Sequence, residues 1–163
     1  MFVCQDLLIN FTESKFEGEI ERGTIILADK TIVYDIIEQM GDFEEHIAHY
    51  TTEIDLSWLE NKFPPMVLKT LLVSGDRDLL VKDIPELKSR YGAKAGDWES
   101  GAIAYVSARN GVKTLILRGV TDLVGASGGE AYGDITFFEN ATRSILTLLV
   151  DALPYWIRIS KIP

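Results

Sequence analysis

The residues of this chain best suited to chemistry are two carboxylates, Glu99 and Asp122, in the run AGDWESGAIAYVSARNGVKTLILRGVTD, residues 95–122. Glu99 opens a helix: Ala102, Ile103 and Val106 recur at helical spacing, and Gly111 lies where that helix should stop. Lys113 to Leu117 follows as an apolar, β-branched string without alternation, the pattern of a strand covered on both faces. Asp122 then falls at the carboxyl end of that strand, the edge on which open α/β sheets bind ligands. A strand–helix–strand unit that gathers two acids at one crevice points to chemistry on a polar small molecule.

The elements that must position these acids alternate in type. Asp6 to Phe11 reads as a buried strand, and residues 24–37, rich in Thr, Ile and Val, as strands around a turn near Asp29-Lys30. Residues 38–65 are acidic and poorly periodic, a loop with short helical pieces ending in Pro64-Pro65. Leu68 to Val73 predicts another short strand, and Ile84 to Tyr91 a helix stopped by Gly92. Gly125 to Gly129 reads as a mobile lid or linker. A last helix is expected from about Phe137 to Leu153, with Phe138, Ala141, Ile145, Leu148 and Leu149 on one stripe. Beyond it, Tyr155, Trp156 and Ile157 suit a core flap or a subunit contact. Strands alternating with helices make this an α/β domain with a mixed or largely parallel sheet. At 163 residues and 47% apolar content the chain suffices for one domain with a sizeable core.

Several motifs in order carry a resemblance. Trp98-Glu99 stands like a Met-Glu at a helix start, and Gly111-Val112 through Arg118-Gly119-Val120-Thr121-Asp122 like a G-V-x-x-x-x-x-R-x-x-[ST]-D strand and turn. Leu72-Val73-Ser74-Gly75-Asp76 matches a strand ending in Ser/Thr-Gly-Asp. Glu21 through Asp29 matches a G-D-[IV]-V-[IV]-[SA]-D strand, with Tyr34-Asp35 in place of a His-Asp. Over most of its length the chain resembles the nucleoside phosphorylase and nucleosidase superfamily, and most closely the 5′-methylthioadenosine/S-adenosylhomocysteine nucleosidases. The resemblance implies a three-layer α/β fold with a central mixed sheet, and residues 1–163 as a single, incomplete domain of that fold. The family's first strands and helices, with the glutamate that activates the attacking water, have no counterpart here. That leaves a fragment, a site completed by a second chain, or a protein that has lost the reaction.

The same resemblance implies roles for particular residues. Breaking an N-glycosidic bond builds negative charge on the departing purine, and a carboxylic acid beside N7 can neutralise it; Asp122 takes that place. From position alone, Asp122 is equally well the N-cap of a following turn or helix. Glu99 would accept hydrogen bonds from the two ribose hydroxyls, two acceptor oxygens for two donors. A glutamate in a helix first turn is also favoured there by the macrodipole alone. Trp98 would pack on the sugar or simply fill the core, and Asp97 matches a further acidic position. Ser74, Gly75 and Asp76 would shape the floor of the purine pocket, and the backbone of Leu79 could read the purine edge. Asp78 stands where related nucleosidases place a stacking phenylalanine, and a lost ring weakens base binding by about 1–3 kcal/mol. Arg118, within a strand, suits a structural ion pair better than an anion contact.

The expected activity is hydrolysis of 5′-methylthioadenosine, S-adenosylhomocysteine or a related purine nucleoside, with no metal or organic cofactor. Two alternatives stand beside it: a purine nucleoside phosphorylase, and a catalytically incomplete nucleoside-binding or subunit protein of the same fold. A net charge of −9 without a Lys/Arg cluster argues against nucleic acid and anionic membrane surfaces as partners. A single cysteine, Cys4, excludes an internal disulfide and suits a reducing compartment. Asp6 and Asn10 interrupt the one early apolar run, so no secretory signal is expected, and the location predicted is cytoplasmic. His46 and His49, three apart, lack an evident third ligand and read as a solvated or interface segment. A strand starting near residue 6 would leave a sheet edge open, which predicts a homo-oligomer (a dimer) or a complementing chain.

Overall fold

The computed structural model describes residues 2–6, 9–12, 20–125 and 128–160. In chain order these form β1 (Phe2–Asp6), β2 (Ile9–Thr12), β3 (Ile25–Val33), α1 (Phe43–Tyr50), β4 (Thr52–Glu53) and β5 (Val67–Ser74). There follow α2 (Ile84–Tyr91), β6 (Gly96–Asp97), α3 (Ser100–Arg109), β7 (Leu115–Gly119), β8 (Asp122–Gly125), β9 (Gly128–Gly129) and α4 (Ile135–Ile159). The larger sheet has the order β1-β7-β3-β5-β6, with β4 attached to β3. It is mixed: β3 runs antiparallel to β7 and parallel to β5, while β1 and β7 are parallel. A smaller sheet has the order β2-β8-β9.

Alternation along the central strands builds the layers. Ile26 and Ala28 of β3 and Ile116 of β7 pack with Ala104 of α3 on one face. Leu27, Leu115 and Leu117 point the other way, onto Ile145, Leu149 and Trp156 of α4. The result is the expected three-layer α/β arrangement around a mixed sheet. A third cluster joins Ile47 of α1, Ile84 and Leu87 of α2, and Val73 at the end of β5.

Several elements differ from the sequence expectation. The single strand expected over Asp6–Phe11 is two strands in two sheets. Phe2 faces Leu115 and Ile9 faces Asp122, the same offset in sequence, so two parallel strands leave one sheet for the other together. Residues 24–37 form no hairpin; β3 continues as one strand, with a bulge at Asp29 absorbing the irregularity. The strand expected over Lys113–Leu117 is shifted to Leu115–Gly119 and is buried throughout. In the Gly125–Gly129 stretch, Gly125 and Gly128–Gly129 pair as the ends of β8 and β9, and residues 126 and 127 lie outside the described residues. The last helix is longer than expected at both ends and passes through Pro154. Trp156, 1% exposed, belongs to the core, while Ile157 is exposed. The short helix ending at Gly92 is as predicted, the glycine taking the left-handed conformation at φ 65°. No helix among the described residues is long and apolar enough to cross a membrane.

Candidate active site

Alternation also decides where Arg118 goes. It shares the α3-facing side of β7 with Ile116, and its guanidinium, fully buried, arrives at the start of α3. There Nε lies 2.7 Å from Asp97 Oδ2 and donates to Ser100 Oγ at 2.9 Å, while Nη2 donates to Glu99 Oε2 at 3.2 Å. Asp97, itself buried, accepts from the Ser74 hydroxyl at 2.6 Å, from the Ser100 amide at 3.2 Å and from the Ser100 hydroxyl. Ser74 Oγ in turn accepts from the Gly101 amide at 2.8 Å. A buried charge in this setting needs such partners, because an isolated guanidinium would be strongly disfavoured. The network fixes the carboxylate of Glu99, about a third exposed, at the N-cap position of α3, where it makes no cap hydrogen bond of its own. Arg118 is therefore the structural ion-pair partner expected of it.

Trp98, between Asp97 and Glu99, is 46% exposed, so filling the core is not its role. Asp76 is brought to this floor by its backbone: its amide donates to Asp35 Oδ2 at 2.8 Å, and its side chain is exposed.

Asp122 belongs to a second cluster. It does not cap a turn or helix; it begins β8, separated from the end of β7 by Val120 and Thr121. Its side chain is fully buried, Oδ1 accepts from the Thr121 hydroxyl at 3.1 Å, and Oδ2 has no partner among the described residues. Burial pushes its carboxyl above the usual range, and the nearby charges of Glu130 and Asp78 push the same way against hydrogen bonds from Thr121 and Ala131. Leu79, 3% exposed, turns its carbonyl to the hydroxyl of Tyr132 at 2.8 Å. Asp78 is exposed beside it. The two clusters are neighbours: β8 pairs with β2, and β2 adjoins β6, whose Asp97 leads into Glu99.

A strand arginine among apolar residues was the sequence signal for this network. Ser100, Thr121 and Tyr132 gave none, since each is common and each acts through tertiary contacts. His46 pairs with Glu38 at 3.5 Å and His49 with the Tyr105 hydroxyl at 2.8 Å. No group of three or more metal-ligating side chains occurs among the described residues.

No protein-family model matches the chain. Over 115 residues it is 31% identical to the 5′-methylthioadenosine/S-adenosylhomocysteine nucleosidase of Thermotoga maritima, a match that takes in 69% of this chain and 52% of that protein. A crystal structure of an MTA/SAH nucleosidase superposes with a TM-score of 0.73 at 18% identity, over 99% of this chain and 62% of the other. The Streptococcus pneumoniae MTA/SAH nucleosidase, solved in complex with 8-aminoadenine, gives 0.63 at 17% identity, over 93% of this chain and 65% of the other. The chain has the nucleoside phosphorylase/nucleosidase fold. Within that fold, the proteins it is similar to are MTA/SAH nucleosidases. It spans about half the length of the curated relative it matches.

Proposed function

We propose that the chain carries the acid and ribose-binding groups of a purine nucleosidase, acting on 5′-methylthioadenosine, S-adenosylhomocysteine or a related nucleoside. The observation that carries this reading is Asp122: a fully buried carboxyl, its pKa raised by burial, with one oxygen left unpartnered. Such a group holds its proton to higher pH than an exposed aspartate does, which suits it to supply one to N7 of a departing purine. Glu99, held by Arg118, presents a carboxylate to a vicinal diol. Ser74 and Asp97 hold the floor between them, with Asp76 and Asp78 at its rim, Leu79 at the base edge and Trp98 against the sugar. The named activities of the relatives favour water over phosphate as the attacking group. The 8-aminoadenine held by the Streptococcus pneumoniae protein supports a purine as the ligand class.

We take residues 1–163 as one domain that associates with a second copy or a complementing chain. The outer edge of β1 and the exposed apolar side chains of α4 (Ile135, Leu148 and Val150) support that reading.

The test is adenine release from 5′-methylthioadenosine by the purified chain without phosphate, followed by chromatography. Asp122→Asn should lower the rate by about 10²–10⁴-fold with the fold retained. Undiminished release would remove Asp122 from the role, and release that requires added phosphate would make the protein a phosphorylase.

A further inference from the structure

The base end of the proposed pocket lacks an aromatic residue in the segment that should wall it: Ser74-Gly-Asp-Arg-Asp-Leu-Leu80 contains none. Tyr132, 53 residues of chain beyond Leu79 on the turn after β9, reaches that segment, its hydroxyl donating to the Leu79 carbonyl at 2.8 Å. One edge of the ring, Cδ1, Cε1 and Cζ, rests on Gly129. A Cβ there would lie 2.6 Å from two ring carbons, so only glycine lets the ring approach this backbone. Held at the hydroxyl and backed at the ring, the side chain loses little further freedom when a ligand packs on it. Even so it is 40% exposed, so part of the ring remains open.

Its surroundings are those of the base end. Burial raises the pKa of the Tyr132 phenol, and the neighbouring Asp78 and Asp122 carboxyls act in the same direction. Tyr34 also acts on the phenol.

We infer that Tyr132 is the stacking wall of the purine site, an aromatic face supplied from the turn after β9 and clamped to the base-reading backbone at Leu79. This rests on the purine reading of Asp122 and adds to it the residue that grips the base. Stacking on an aromatic face is worth enough that its removal weakens binding of a base by about tenfold or more. The ring is what matters in this role, and the hydroxyl serves to orient it.

The experiment is calorimetric titration of the full chain with adenine, comparing wild type with Tyr132→Phe, Tyr132→Trp, Tyr132→Leu and Tyr132→Ala, each checked by thermal melting. Phe and Trp should hold Kd within about threefold, and Leu and Ala should weaken it by about tenfold or more. Leu keeps most of the side-chain volume, so the Phe–Leu comparison decides even if the Ala variant fails to fold. Equal Kd across the aromatic and aliphatic variants would overturn the inference while leaving the purine site in place. Tighter binding by Tyr132→Ala would also overturn it, because the ring would then occupy the place of the base. Wild type that takes up no adenine would remove the purine reading itself, and this inference with it.

Discussion

At Asp122 burial and chemistry pull in the same direction. Taking a carboxyl out of water disfavours its charged form, and that same shift preserves the proton that a leaving base would need. The shift also carries a stability consequence with a definite sign. Because the folded pKa lies above the unfolded one, the favourable contribution of the protonated group is complete below the ordinary aspartate pKa of about 3.9 and is lost as pH rises through the folded pKa. Asp122→Asn, which does not titrate, escapes that loss. In urea titrations the variant should therefore gain stability relative to wild type at neutral pH, and the gain should shrink toward about pH 3. A difference independent of pH would mean that the carboxyl is not perturbed in the folded protein. At Glu99 one oxygen accepts from the Arg118 guanidinium and the side chain is about a third exposed, which leaves acceptor capacity for a ligand.

At the scale of elements, the site depends on β7 lying flat between two helices. Its successive side chains are divided, Arg118 toward α3 and Gly119 toward α4. A Cβ on Gly119 would lie 2.2 Å from Ile145 Cγ2, too close for the strand and α4 to keep their present separation. Gly119→Ala is expected to cost roughly 1–3 kcal/mol by overpacking, measured by urea denaturation. Adding Ile145→Val, which removes one methyl group from the contact, should recover part of that loss rather than deepen it. Strict additivity of the two would show that the strand and helix do not meet there. Because Arg118 and Asp122 flank this glycine on one continuous stretch, the same change should lower adenine release as well.

At the scale of the whole molecule, the larger sheet ends on β1, whose described pairing is with β7 alone. An unpaired strand edge is a template for another chain. Together with the exposed apolar residues of α4, it leads to the expectation that the chain sediments at micromolar concentration as a dimer or larger species. A single monomeric boundary across that range would refute self-association and leave a complementing chain as the remaining form of the proposal.

The sequence alone determined the α/β class, the helix at Ile84–Tyr91, the placement of Glu99 at a helix start and the order of the motifs from Ser74 to Asp122. These depend on local periodicity, on glycine stops and on residue types that carry their own chemistry. Tertiary structure decided what pairing and burial decide. The run from Asp6 to Phe11 divides between two sheets because β7 and β8 part beside it, a partner more than a hundred residues away. Residues 25–33 stay one strand because a bulge at Asp29 keeps the pairing of β3 with β5 on both sides of it. The perturbed carboxyl of Asp122, the clasp of Asp97, Glu99 and Ser100 around Arg118 and the reach of Tyr132 to Leu79 depend on solvent exclusion and long-range contact. Neither is written in any local stretch of residues.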